Sequence, residues 1–313
     1  MRRTSQLAGG ICLLLPILAA GAGIWLGPGL LHPKRRALTQ EQIAEADRML
    51  ERTRSSRTNL EARATDGAVL RGWKIRPQAP NGDWVLLFHG VSDHRIGVLG
   101  HAEFLLRNSY SVLMMDVRAH GASDGSLATY GWLERDDTRT IIEALYQDES
   151  VHCLFALGES MGAALALQSA AIEPRIAGVV AESSFSNLRE VAYDYAGLHI
   201  SPWLGKTVFR PAVWTSISAI EREGGFRAED ISPEKAVAAR TFPVFLICGE
   251  LDRNIPARHS ERIYEQASGA KELWIVPAAG HSAALGTAPA EFEQRVISFF
   301  RGNHAMNTLR EPL

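Results

Sequence analysis

The fold of this chain is decided by Val151-His152-Cys153-Leu154-Phe155-Ala156-Leu157-Gly158-Glu159-Ser160-Met161-Gly162, which runs on into an Ala- and Leu-rich segment ending at Ala171. The apolar run before the pattern G-x-S-x-G predicts a buried strand, and the run after it predicts a helix. Small residues two positions on either side of Ser160 let strand and helix approach closely through a strained turn. The pattern therefore predicts a serine hydroxyl lifted off a sheet edge, beside the positive end of a helix. A glycine-rich turn with an incidental serine is the alternative.

The rest of the chain alternates apolar, strand-like runs with helical stretches. A hairpin comes first, with the Asp66-Gly67 turn between residues 59–65 and 69–76. The later strand runs are Trp84–Phe88, Val112–Met115, Val151–Leu157, Ile176–Ala181, Val244–Cys248 and Leu273–Val276. Helical stretches separate them, near residues 101–108, 133–146, 160–172, 256–268 and 289–300. This rhythm predicts the α/β class, with a mostly parallel central sheet and helices on both faces.

Composition excludes several classes of protein. The 313 residues are 46% hydrophobic and 22% charged, which is enough apolar material for one large core. A net charge of −2 gives no basic footprint, so no nucleic-acid partner is expected. The cysteines are predicted to be free thiols, and no Cys or His pair has the spacing of a metal site. We expect neither a metal nor a cofactor.

The N-terminus is predicted to lie outside the globular domain. Residues 7–31 contain no charged side chain, and basic residues flank this stretch at both ends. A membrane-spanning helix needs about 20 apolar residues, so residues 1–36 are predicted to form a single-pass membrane anchor. A signal peptide cleaved after Ala20-Gly21-Ala22 is the alternative, and it would make the protein secreted or periplasmic. The flanking charges do not decide which side of the membrane carries the domain.

Two further segments complete the predicted organisation. Residues 37–58 are predicted to hold a spacer helix, because Thr39 and Gln42 have the spacing of a capping box. That helix either packs on the outer domain or is a solvated connector. The α/β domain is predicted over residues 59–301, with a C-terminal tail over 302–313.

An aromatic-rich interval interrupts the alternation between Ser183 and Phe242. A connection of this length inside a compact domain is usually a lid or a helical insertion. We predict a helical cap over about residues 187–235, with Trp203 and Tyr195 binding substrate. A peripheral helical bundle unrelated to substrate is the alternative.

Two side chains that could assist Ser160 follow late strands. Asp252 comes just after the strand at 244–248, and His281 comes just after the strand at 273–276. Parallel strands bring their carboxyl ends to one edge of the sheet, so Ser160, Asp252 and His281 are predicted to meet there as nucleophile, acid and base. Glu250 is the alternative acid. His259 is expected on a helix surface, and four histidines near early strand ends could line the site: His89, His94, His101 and His120.

An oxyanion hole needs two backbone N–H groups. Met161, directly after Ser160, is predicted to supply one of them. Val91, in the loop after the first parallel strand, is predicted to supply the other, and Gly90 allows that loop to turn tightly.

Taken together, five segments resemble the α/β-hydrolase family over residues 59–301: Phe88-His89-Gly90, residues 116–125, Gly158 to Gly162, Gly249 to Asp252 and Gly280-His281. Ala119 stands where the family's loop usually has glycine. Within the family the chain is similar to the membrane-anchored branch named serine aminopeptidase-like or monoacylglycerol-lipase-like. The resemblance implies the α/β-hydrolase fold with its helical cap.

The triad and the resemblance together predict a serine hydrolase that cleaves a carboxylic ester or thioester through an acyl-enzyme. Its substrate is expected to be a small acyl ester or a lipid-like molecule. The alternatives are a serine peptidase of the same fold and a non-catalytic protein that uses this fold for binding. The aromatic cap favours esters, although Glu182 and Glu190 weaken that argument by offering carboxylates to a peptide amino terminus.

Overall fold

The computed structural model describes Gly21, Gly23 and residues 27–197 and 201–308. Eight strands form one sheet in the order β1-β2-β4-β3-β5-β6-β7-β8. β1, β2 and β4 pair antiparallel, whereas β4, β3 and β5 to β8 pair parallel. The strands are β1 Ser55–Arg63, β2 Val69–Pro77, β3 Trp84–Phe88, β4 Ser111–Met115, β5 Leu154–Glu159, β6 Ile176–Glu182, β7 Val244–Gly249 and β8 Lys271–Val276.

Helices cover both faces of this sheet. They are α1 Gln40–Thr53, α2 Leu99–Arg107, α3 Glu134–Asp148, α4 Met161–Ile172, α5 Leu188–Ala196, α6 Pro202–Lys206, α7 Arg210–Gly224, α8 Pro233–Ala239, α9 Arg258–Gln266, α10 Ala284–Thr287 and α11 Pro289–Thr308. Two apolar clusters fill the spaces between sheet and helices, one on each face. Strands β3, β4 and β7 are buried along their whole length, as their continuous apolar sequence predicts. The α/β prediction is therefore confirmed.

Helix α1 packs on the domain and is not a solvated connector. Thr39 and Gln42 form the predicted capping box at its start. Ala46 and Met49 are buried in the apolar cluster that also contains Trp73. Strand β1 follows almost immediately, at Ser55, so no free spacer separates α1 from the sheet.

The last helix continues beyond residue 301, where the sequence placed the end of the domain. Helix α11 runs to Thr308, and His304 Nδ1 lies 3.0 Å from each carboxylate oxygen of Asp83. Asn303 is buried, and its side-chain amide donates to Phe299 O. The His304 contact ties the last part of α11 to Asp83, at the amino edge of the sheet.

The interval after β6 forms a cap of three helices, α5 to α7. Val191, Val213, Ile217 and Ile220 are buried in a third apolar cluster together with Ala164 of α4. The cap therefore packs against the helix that follows Ser160. Helix α8, by contrast, packs between α4 and α9 as part of the main domain.

Most of the predicted anchor lies outside the described residues. Within the described part of the chain, no helix combines the length and apolar character that crossing a bilayer would require. The end of the apolar stretch is described: Pro28–Leu30 form a 3-10 turn, and Leu31 is fully buried beside the cap.

Candidate active site

Ser160 occupies the sharp turn between β5 and α4. Its φ of 54° and ψ of −120° are a sparsely populated combination for a side-chain-bearing residue, which costs about 1–3 kcal/mol. Two glycines make the turn possible. A Cβ on Gly158 would lie 2.3 Å from Gly162 O, and one on Gly162 would lie 2.3 Å from Phe88 O. The backbone N–H of Ser160 donates to Glu182 O on β6 at 2.8 Å, which fixes the strained turn to the neighbouring strand.

The structure brings the three predicted side chains together. Ser160 Oγ lies 2.9 Å from His281 Nε2, and His281 Nδ1 lies 2.8 Å from Asp252 Oδ2. The residues are separated by 121 and 29 positions in sequence, and each follows the carboxyl end of a different strand. The chain of contacts from hydroxyl through imidazole to carboxylate has the geometry of an activated serine nucleophile.

Asp252 is held in place by its own loop. Its Oδ1 accepts from the backbone N–H groups of Asn254 and Ile255, each at 2.9 Å, so only Oδ2 is left for His281. Glu250, the alternative acid, accepts instead from the backbone N–H of Ala278 at 3.1 Å. That bond joins the loops after β7 and β8, so the described contacts of Glu250 suit loop support rather than contact with the imidazole.

The loop that carries Val91 passes directly over Ser160. A Cβ built on Gly90 would lie 3.7 Å from Ser160 Cβ, which shows how closely the two turns approach. His89 braces this loop, because its Nδ1 lies 2.8 Å from Gly90 O and its Nε2 accepts from Val117 N–H at 3.0 Å. Burial lowers the pKa of His89 to about 4, so the ring is neutral at physiological pH and can make both contacts.

A cavity of about 530 Å³ opens at Ser160. Val91 and Met161, the predicted oxyanion donors, both line it. The cap contributes mostly apolar side chains, which are Leu188, Val191, Tyr195, Val213, Ile217 and Ile220.

Of the two aromatic residues predicted to bind substrate, the structure places only Tyr195 at the cavity. Trp203 is 63% exposed and does not line the cavity, so that prediction needs correction. The physical reason is that α6 is a five-residue helix with Trp203 on its outer side. The residues that the sequence reasoning missed are the aliphatic ones of α5 and α7. Their spacing at Val213, Ile217 and Ile220 is helical and could have identified them.

Three other described histidines have structural contacts or are buried, namely His94, His120 and His259. His259 is buried, contrary to the surface position expected from the sequence, because its Nε2 meets Asp194 at 2.7 Å and its Nδ1 meets Ser186 Oγ at 2.9 Å. His94 caps the turn before α2. His120 is buried, and its pKa is lowered by that burial.

A second polar cluster that the sequence reasoning missed lies behind His281. Glu159 and Glu182 are paired in register on β5 and β6, so both side chains point to the same face of the sheet. Glu182 Oε1 accepts from Ala284 N–H at 2.8 Å, which braces the segment that follows His281. Glu182 Oε2 lies 3.8 Å from Nε2 of the buried His101.

Glu159 gives this cluster a pH dependence. Burial raises its pKa from 4.5 to about 7, with Glu182 and Asp93 raising it further and His101 and His281 opposing the shift. The folded protein therefore binds a proton more tightly than the unfolded chain, and this stabilisation is lost as the pH rises from about 4.5 through 7.

We expect Glu159→Gln to remove that part of the pH dependence. Glutamine keeps the shape of the protonated acid but cannot ionise, so the variant should be more stable than the wild type at pH 8 by up to about 3 kcal/mol, and similar at pH 4.5. Urea unfolding of both proteins at the two pH values measures the difference. An equal stability difference at both pH values would show that ionisation of Glu159 is not its source.

A group of potential metal ligands lies at the opposite end of the sheet. Ligand atoms of Asp83, Cys153 and His304 lie within 4.8 Å of one another. Asp83 and Cys153 immediately precede β3 and β5, so the group is at the amino edge, away from Ser160. The described contact between Asp83 and His304 already accounts for their proximity. Any role for this group is separate from chemistry at Ser160.

The sequence matches one hydrolase family model and several bacterial relatives. The family model described as serine aminopeptidase, S33, matches residues 79–232. The uncharacterized protein YqkD of Bacillus subtilis is 28% identical over 222 residues, which cover 69% of this chain and 70% of that protein. The uncharacterized protein Rv2307c of Mycobacterium tuberculosis is 30% identical over 220 residues, which cover 69% of each chain.

Solved structures share this fold over most of the chain at low sequence identity. The Pyrococcus furiosus esterase Pf2001 superposes with a TM-score of 0.69 at 24% identity, covering 87% of this chain and 97% of that one. The Pyrococcus horikoshii acylaminoacyl peptidase superposes with a TM-score of 0.62 at 16% identity, covering 79% of this chain and 41% of that one. The sheet order, the strained strand-to-helix turn at Ser160 and these similarities lead to one conclusion: the chain belongs to the α/β-hydrolase superfamily.

Proposed function

We propose that the protein is a serine hydrolase that cleaves a carboxylic ester or thioester through an acyl-enzyme. The observation that carries this proposal is the continuous contact from Ser160 through His281 to Asp252, with Ser160 lining an apolar cavity. A protein that only binds ligands has no need for this arrangement, nor for a strained serine at its centre.

In the proposed reaction, Ser160 Oγ attacks the substrate carbonyl while His281 Nε2 takes the hydroxyl proton. Asp252 keeps the imidazole in the tautomer whose Nδ1–H points to the carboxylate, and it stabilises the imidazolium that forms. The backbone N–H groups of Val91 and Met161 donate to the developing oxyanion. His281 then passes its proton to the leaving alkoxide or thiolate. Water then attacks the acyl-enzyme while His281 Nε2 takes a proton from it. His281 returns this proton to Ser160 Oγ as the acid leaves, which restores the free enzyme.

The surroundings of Ser160 support ester rather than peptide substrates. Glu182 and Glu190 are the carboxylates that could have held a peptide amino terminus, but neither lines the cavity. Glu182 is buried and bonded to Ala284 N–H, and Glu190 pairs with Lys206 at 2.8 Å. An apolar cavity suits an uncharged acyl chain, and the two nearby glutamates are bonded to other groups.

A substrate panel tests this proposal. Purified full-length protein is assayed with p-nitrophenyl esters from acetate to palmitate, with the matching thioesters, and with aminoacyl p-nitroanilides. We expect turnover of esters and thioesters, with kcat/KM rising with chain length until the cavity is filled, and little turnover of anilides. A preference for anilides would assign the protein as a peptidase. Absence of turnover on the whole panel would favour a binding function.

We also propose that the N-terminal apolar residues, from Leu7 up to those that pack on α7 at Gly23, anchor the protein in a membrane. The support is their uncharged, apolar sequence, flanked by basic residues. Full-length protein should then remain in the membrane pellet after carbonate washing and should keep Met1 or Arg2 as its first residue. Recovery of a soluble chain that begins at Gly23 would instead establish a cleaved signal peptide and a secreted or periplasmic protein.

A further inference from the structure

The end of the apolar N-terminal stretch is built into the catalytic domain. Residues 27–36, which we call the strap, cross from cap helix α7 to the loop after β4. Gly27 lies so close to α7 that a Cβ there would be 2.9 Å from Ser216 Cα. Leu31 is fully buried in the cap cluster, which also contains Ile220 and Phe226. The strap is therefore packed as a structural element rather than as a loose linker.

Polar contacts hold the strap on the side opposite the cap. Leu31 O accepts from Ala128 N–H at 2.8 Å, and Leu30 O accepts from the Tyr130 hydroxyl at 2.7 Å. Further along, the Arg35 guanidinium donates to Gly125 O at 2.8 Å. These bonds use the strap backbone and its basic end, so they leave the Leu30 side chain unconstrained.

His32 links the two sides directly. Its Nδ1 lies 3.0 Å from Ser126 O in the loop after β4, and its Nε2 lies 2.6 Å from Glu223 at the end of α7. One strap residue thus spans the space between the main domain and the cap.

The strap also forms one wall of the cavity at Ser160. Gly29, Leu30, Pro33 and Lys34 line this cavity together with aliphatic side chains of α5 and α7. Leu30 lines the cavity and is 51% exposed, so its side chain contacts both the cavity and solvent. An acyl chain that fills this cavity from Ser160 therefore contacts the strap.

We propose that the strap is a specificity-determining wall, in which Leu30 sets the length of acyl chain that the site accepts. The inference rests on the proposed function, since it concerns the acyl group bound during hydrolysis. A cavity of about 150 Å³ holds benzene, so about 530 Å³ is room for roughly 20 non-hydrogen atoms. That is the size of a medium to long acyl ester, whose far end would reach the strap.

The test varies the size of residue 30 in the full-length protein. Leu30→Trp reduces the space in the cavity and Leu30→Ala enlarges it, and both leave the backbone bond to Tyr130 intact. We expect the chain length with the highest kcat/KM to become shorter with Trp and longer with Ala. For a long ester such as laurate, Leu30→Trp should lower kcat/KM at least about tenfold, while the rate on acetate stays within about twofold.

Trp203→Ala is the matched control, because Trp203 is an exposed apolar residue of the cap that does not line the cavity. It should leave the chain-length profile unchanged. Superimposable profiles for the two Leu30 variants and the wild type would overturn the strap proposal. Labelling by a small fluorophosphonate distinguishes failure of the strap proposal from failure of the proposed hydrolase function. If all variants label at the wild-type rate but the profiles do not move, only the strap proposal fails. If the wild type neither labels nor cleaves any ester, the proposed function fails with it.

Discussion

Ser160→Ala is expected to abolish ester hydrolysis, with kcat falling by a factor on the order of 10⁶. The physical reason is that the variant has no oxygen at the position 2.9 Å from His281 Nε2, so no acyl-enzyme can form. The fold should remain, because alanine fits wherever serine fits and the two glycines that shape the turn are unchanged. The measurement is kcat on the best ester of the panel, together with the urea midpoint of both proteins.

The control for this prediction is Ser92→Ala. Ser92 also lines the cavity and also has a positive φ, of 58°, but it makes no described contact with His281. Its alanine variant should keep kcat within a few-fold of the wild type. Comparable loss of activity in both variants would mean that the cavity needs serine hydroxyls for binding rather than for attack.

Asp252→Asn is expected to lower kcat by about 10⁴, following the precedent of the serine-protease triad. An amide at this position can donate to His281 Nδ1, which favours the tautomer that carries its proton on Nε2. That tautomer cannot accept the proton of Ser160. The backbone bonds from Asn254 and Ile255 can still be made to the amide oxygen, so the loop should hold its shape.

Glu250→Gln is the matched control for the acid. Glu250 lies two residues from Asp252 but accepts from Ala278 N–H, a bond that the glutamine oxygen can preserve. Its variant should stay within a few-fold of the wild-type kcat. Full activity of Asp252→Asn combined with an inactive Glu250→Gln would transfer the acid role to Glu250.

The parts of the site that depend on local sequence could be predicted. The sharp turn at Ser160 requires glycine at 158 and 162, so the G-x-S-x-G motif itself predicts the conformation of this turn. Asp252 and His281 could be placed because each follows the end of a predicted strand, and parallel strands share an edge. The burial of His259 had a usable signal as well, since His259 and Ile263 are one helical turn apart on the buried side of α9.

The parts that depend on tertiary packing could not be predicted. Hydropathy cannot distinguish an apolar residue that enters a bilayer from one that packs against a cap, so the sequence groups Leu31 with the anchor although it is fully buried in the domain. Aromatic content likewise does not tell which side of a short helix faces the substrate, so an aromatic-rich segment alone does not locate Trp203. The Glu159 and Glu182 pair needed the strand register, which places the two residues side by side.

The most direct test of the central claim is mass mapping of the covalent adduct formed with a fluorophosphonate. Full-length protein is labelled to completion, its intact mass is measured, and the modified peptide is sequenced by fragmentation. The triad geometry predicts one adduct per chain, carried by Ser160, with labelling suppressed in His281→Ala. An adduct on another residue, or an unmodified chain under conditions that label a known serine esterase, would contradict it.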